Sequence, residues 1–135
     1  MLEPKKTKFR KLQKGVGGGK RERGAELGFG GFGLKTLVDG KVSARQIEAV
    51  RQVLSRATKK GGKTWIRVFP DLPITFKGVE VPMGGGKGDV IGYESAVKAG
   101  KILFEIDGLG EGEAKEALRI ASHKLGLKTK MIKRV

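Results

Sequence analysis

Between residues 43 and 60 the apolar side chains Ile47, Val50, Val53, Leu54 and Ala57 fall on one arc at about 100° per residue. Arg45, Gln52, Arg56, Lys59 and Lys60 fall on the opposite arc. This spacing predicts an amphipathic helix that packs one face on a sheet and turns a basic stripe outward. Ser43 is placed to cap its start, and Gly61-Gly62 to stop it. A second stripe, Ala114, Ala117, Leu118, Ala121 and Leu125, predicts a helix from Glu111 to Leu125, ended by Gly126. Its first turn is acidic, as the helix dipole favours.

Shorter patterns predict strands. Phe32, Leu34 and the Leu37-Val38 pair suggest one, closed by the Asp39-Gly40 turn signal. Residues 63–70 alternate Trp65, Arg67 and Phe69 against Thr64, Ile66 and Val68, with Pro70 and Pro73 as stops. For Phe69 a place in the core is expected. Another strand is expected at 74–81. Residues 90–97 and 101–107 read as a hairpin joined through Lys98-Ala99-Gly100. Alternation at 127–131 gives a final strand. The expected fold class is α+β: a two-layer sandwich of two helices on one side of a mixed or antiparallel sheet.

Composition changes the picture at the ends. Residues 1–24, with a glycine cluster at 17–19, hold too few apolar side chains for a core of their own. They read as a basic N-terminal arm, and residues 25–135 as one globular domain that contains a glycine-rich loop at 82–88. Lysine and arginine number 29 against 14 acids in 135 residues, a net charge of +15. Such density draws in a polyanion. The arm carries nine basic and two acidic residues, whereas residues 88–123 carry four and seven. Residues 124–135 return to five basic and none acidic. No basic segment has the bulky apolar face that membrane docking requires, and the start of the chain has no apolar signal region. A cytoplasmic protein is expected.

Catalytic chemistry finds little material. Without cysteine there is no disulfide, thiol nucleophile or thiolate-bound metal. The single histidine, His123, lies about 140° from Leu118 on the helical wheel, away from the apolar stripe. No metal site, cofactor or catalytic residue is expected. The stretch VPMGGGKG at 81–88 suggests a phosphate-cradling loop. A nucleotide P-loop, however, needs glycine five residues before Gly86, where Val81 stands. The looser match ATKKGGKT at 57–64 leaves a helix C-terminus and enters a strand, so the helix dipole faces the wrong way. Nucleic-acid binding has its materials: cations for phosphates, and aromatics beside basic residues, such as Phe9 with Arg10 and Trp65 with Arg67, for stacking on bases.

Several stretches then fall together: MLEPKKTKFRK at the start, FGGFGLK at 29–35, SARQIEAVR at 43–51, WIRVFPDLPIT at 65–75, MGGGKG at 83–88 and GKILFEIDG at 100–108. In this order they closely resemble the bacterial large-subunit ribosomal protein numbered sixteen in its series, over nearly the whole chain. The resemblance implies an α+β protein set in large-subunit rRNA, near the 5S rRNA and beside the aminoacyl-tRNA site, with other large-subunit proteins as neighbours. It implies a late role in assembly and contact with tRNA. By the same resemblance Lys5, Lys6, Lys8, Arg10, Lys11 and Lys14 of the arm contact rRNA, as do Arg45, Arg51, Arg56, Lys59 and Lys60. The loop of Pro82, Met83, Gly84, Gly85, Gly86, Lys87 and Gly88 reaches toward tRNA. The family usually has arginine where Pro82 stands, and often lysine where Gly85 stands, so this loop keeps one charge, Lys87. The alternative is a stand-alone RNA-binding regulator or assembly factor using the same basic surfaces.

Overall fold

The computed structural model describes residues 1–5, 26–76 and 89–134. In chain order the elements are β1 (Phe32–Thr36), β2 (Gly40–Ser43), α1 (Ala44–Ala57), β3 (Lys63–Ile66), β4 (Leu72–Phe76), β5 (Asp89–Val97), β6 (Ile102–Asp107), α2 (Glu111–Ser122) and β7 (Thr129–Lys133). The α+β class holds. The strands form two sheets, β3-β6-β1-β7 and β2-β5-β4, and every paired neighbour is antiparallel.

The expected hairpin across Lys98–Gly100 does not form. β5 pairs with β2 and β4, while β6 pairs with β1 and β3, so the connection carries the chain from one sheet to the other. The chain makes the reverse crossing between β1 and β2, and the two crossings are tied together. Asp39 accepts a hydrogen bond from the Ala99 N–H at 2.7 Å and forms an ion pair with Lys98 at 3.6 Å. Thr36 and Gly100 close the corner through backbone bonds. The expected strand through Leu37-Val38 ends at Thr36 and Gly40 already opens β2, so Asp39 lies in the connection, where it links two segments distant in sequence.

Both helices follow their apolar stripes. Ala44, Ile47, Val50 and Leu54 of α1 are buried, as are Ala114, Ala117, Leu118 and Ala121 of α2. Ser43 caps α1 in a reciprocal pair: its hydroxyl accepts from the Gln46 N–H, and the Gln46 carboxamide oxygen accepts from the Ser43 N–H. The helix ends at Ala57, before the glycine pair, because Thr58 turns its hydroxyl back onto the Leu54 carbonyl at 2.8 Å. The Gly61 and Gly62 N–H groups then both bond to the Thr58 carbonyl. α2 stops at Ser122, and its last turn tightens through Leu125, which remains buried. The strand at 63–70 is shorter than expected and ends at Ile66. Val68 is buried beyond it, but Phe69 is 46% exposed, against the expected core position. Pro73 lies within β4, an edge strand, where the missing N–H is tolerated.

Register sorts the residues of the first sheet. Directly opposite side chains share a face, so Leu34, Phe104, Ile66 and Met131 point one way, with Phe32 and Ile106. This face packs with α1 and α2 in the core. Gly33, Glu105 and Trp65 share the other face. Glu105 is nevertheless fully buried, because residues 26–30 run over it as a strap. Its carboxylate accepts from the N–H groups of Gly28, Phe29 and Gly30 at 3.1, 2.9 and 2.9 Å. Arg67 completes the set with an ion pair at 2.9 Å, and the same nitrogen donates to the Glu26 carbonyl. The strap lies so close to the sheet that a Cβ on Gly30 would sit 2.5 Å from the Ile106 carbonyl oxygen.

Burial alone would push the Glu105 carboxyl up, but three backbone N–H groups and the Arg67 guanidinium outweigh it and hold it below the ordinary value of 4.5. The folded state thus favours the ionised form. Its contribution is fully present above the ordinary glutamate range and is lost as pH falls through the depressed folded value. Glu105→Gln removes the charge and turns an amide toward N–H donors, leaving Arg67 without its counter-ion. We expect a loss of about 3 kcal/mol at neutral pH in denaturant unfolding. Below the ordinary carboxylate range, the variant should lose less further stability than the parent. Equal acid sensitivity of the two proteins would remove Glu105 as the source of the linkage.

Candidate nucleic-acid interface

The stripe read from the α1 periodicity is solvent-exposed along its length. Arg45 and Arg56 are exposed on the helix, and Lys59 and Lys60 are exposed in the turn that follows it. Among the described residues none of these four has an acidic partner. Four acids are engaged elsewhere: Glu94 with Lys41, Asp39 with Lys98, Glu116 with Arg119 and Glu111 with Lys133. Arg51 differs from the other four. It is held by Glu48 through two hydrogen bonds one turn away, which lowers the Glu48 carboxyl and raises the guanidinium. Four cations therefore form an uncompensated stripe, and Arg51 lies beside it with its charge partly answered.

Lys5 is exposed. The other predicted contacts of the arm, Lys6, Lys8, Arg10, Lys11 and Lys14, lie outside the described residues, as does the loop from Pro82 to Gly88. His123 is exposed at the C-cap of α2. Among the described residues no group of three or more acidic or histidine side chains converges as a metal site. No helix there is long and apolar enough to cross a membrane.

Two further features escaped the sequence reading. In the register of β1 with β7, Lys35 stands directly opposite Lys130, with no acid bonded to either among the described residues. Like charges so placed repel, and a polyanion relieves them. Alternation placed Lys130 opposite in sense to Met131, but its neighbour across the sheet is almost a hundred residues away. The second feature is aromatic. Phe29, on the strap, is 58% exposed and stacks on Trp65 with ring centroids 5.9 Å apart and planes 17° from parallel. The Arg67 guanidinium carbon lies 5.7 Å from the Phe29 ring centre. Trp65 and Arg67 were paired in the sequence as stacking candidates; Phe29 was not, because its neighbour in space is set by Glu105.

Known proteins of similar sequence agree in direction with this surface. Residues 4–132 match the family described as ribosomal protein L16p/L10e. The large ribosomal subunit protein uL16 of Psychrobacter arcticus is 53% identical over 134 residues, covering 99% of this chain and 98% of that protein. The uL16 proteins of Mesorhizobium japonicum and Hyphomonas neptunium are 51% and 53% identical over 135 residues. Together with a fold that turns an uncompensated basic stripe to solvent, a match of this extent establishes that the chain belongs to the ribosomal protein L16p/L10e family.

Proposed function

We propose that the protein binds large-subunit rRNA through the α1 stripe and helps organise the aminoacyl-tRNA site. As a member of its family it is a structural constituent of the large subunit of the cytoplasmic ribosome and not an enzyme, with rRNA and other ribosomal proteins as partners. The observation that carries the finer reading is the set Arg45, Arg56, Lys59 and Lys60, four exposed cations without an acidic partner. At the C-terminal end of α1 the helix dipole favours Arg56, Lys59 and Lys60 only modestly, and Arg45 not at all. Bound to phosphates, each cation releases counterions. In this reading Arg51 joins the contact when it exchanges Glu48 for phosphate. Lys5, Lys6, Lys8, Arg10, Lys11 and Lys14 extend it along the arm, in the direction of the 5S rRNA. The loop from Pro82 to Gly88 approaches tRNA, with Lys87 as its one charge, and the chain enters the particle late in assembly.

Replacing Arg45, Arg56, Lys59 and Lys60 together by alanine should weaken binding to large-subunit rRNA and flatten its dependence on salt. The slope of log K against log salt should fall by about 3, as expected for four lost phosphate contacts on structured RNA. An unchanged slope would remove the stripe from the interface.

The protein should sediment with purified large subunits in stoichiometric amount. A predominantly ribosome-free population would favour the stand-alone regulator or assembly factor instead.

Lys87→Ala should lower tRNA binding at the aminoacyl site while leaving subunit assembly near the parental level. Equal loss of both would make the loop a structural rRNA contact.

A further inference from the structure

Beside the Phe29–Trp65 stack lies an open cavity of about 320 Å³, walled by Phe29, Trp65, Lys63, Asp107, Gly61 and Gly108. We infer that this cavity receives one unstacked nucleobase of the large-subunit RNA, with guanine the best fit. The inference rests on the rRNA-binding reading above and names a site within it that the basic stripe does not include.

Four observations converge. The first is the aromatic wall. Trp65 and Phe29 are half-buried and exposed respectively, although both rings are large enough to fill a core, and the strap holds Phe29 outward through its own N–H bond to Glu105. A base added to this stack meets a π-surface already ordered, so little entropy is lost on binding. The second is charge. Lys63 stands on the cavity rim, and Lys59 and Lys60 lie just upstream in the same turn, so the cavity continues the α1 stripe. A nucleotide seated there has cations for its phosphate.

The third observation is Asp107. It lies directly opposite Lys63 in the β3–β6 register, yet the two form no ion pair, and its carboxylate has no hydrogen-bond donor among the described residues. A free carboxylate on a phosphate-binding surface repels its ligand unless it accepts from a base edge. The guanine Watson–Crick edge offers adjacent N1–H and N2–H donors, which match a carboxylate's two oxygens. Uracil offers a single N–H. The fourth is the floor. Gly108 has a φ of +84°, and a Cβ there would lie 2.7 Å from the Gly62 Cα, so the two turns meet without side chains. Their bare backbones leave the cavity open for a flat ring.

Trp65 is the only tryptophan, so its fluorescence reports directly on the cavity. The intact protein is titrated with large-subunit rRNA, with binding followed separately by filter retention. Guanosine monophosphate, uridine monophosphate and inorganic phosphate serve as small probes. Bound rRNA should quench Trp65, guanosine monophosphate should quench it more strongly than uridine monophosphate, and inorganic phosphate should not. Phe29→Leu should reduce the affinity for guanosine monophosphate by about tenfold. Asp107→Asn, nearly isosteric, should abolish the preference for guanine while keeping the stack. Thermal unfolding of both variants checks that the strap remains seated. Retention of rRNA with Trp65 fluorescence unchanged would overturn the base pocket and leave the rRNA-binding reading standing. Failure to retain rRNA at all would overturn both. Equal quenching by both nucleotides, unaffected by Asp107→Asn, would overturn the guanine assignment.

Discussion

A single buried carboxylate organises the outer face of the larger sheet. Glu105 belongs to a central strand whose opposite face is committed to the helices, so its own face needed a cover. The strap at 26–30 supplies one, with Leu27 set against the bare Gly33 and Phe29 stacked on Trp65. Its central attachment is polar. Three consecutive N–H groups converge on one carboxylate, and Arg67 neutralises the charge that remains. Without the carboxylate these donors would lose their common acceptor, at greatest cost for Gly30, whose bond is buried. The orientation of Phe29, its stack on Trp65 and the course of the chain into β1 all follow from this attachment.

The distribution of ion pairs divides the molecule into two electrostatic regions. Several acids are used locally: Asp39 at the crossing between sheets, Glu111 between α2 and β7, and Glu116 along α2. These pairs are exposed and individually weak. None of them answers the α1 stripe. Part of the excess positive charge is thus presented on a helix face and the turn after it, and rigid presentation suits a polyanion of defined shape.

The helices were legible in the sequence because their information is local. Ser43, the 3.6-residue stripes and the acidic first turn of α2 lie within a few residues of what they determine. Strand pairing was less so. The stretches VIGYESAV and KILFEID each alternate or run apolar as strands should, but nothing local says that both are central in different sheets. A short connection with a glycine suits a hairpin and a sheet crossing equally, and Asp39, about sixty residues upstream, decides between them. Glu105 was hidden for a similar reason. In KILFEID an acid between two apolar residues reads as solvent-facing, and its backbone partners lie more than seventy residues upstream, where no element was expected. The α1 stripe of the candidate interface was readable, whereas Phe29, Lys63 and Asp107 came together only through pairings of β3 with β6 and of the strap with the sheet. Residues 6–24 of the arm and the 82–88 loop, which the sequence marks by glycine and charge, lie outside the described residues.

The opposed lysines of β1 and β7 have a consequence for the supply of the protein in the cell. Lys35 and Lys130 place two positive charges face to face, in a chain that already carries an excess of fifteen. Unbound, the fold works against its own repulsion. Any polyanion that sits across the pair adds its binding free energy to folding, so occupied copies resist opening more than unoccupied ones. Where cleavage follows the population of opened chains, proteolysis removes surplus copies first. On these terms the opposed lysines make the free fold easier to open than one that carries a polyanion across them.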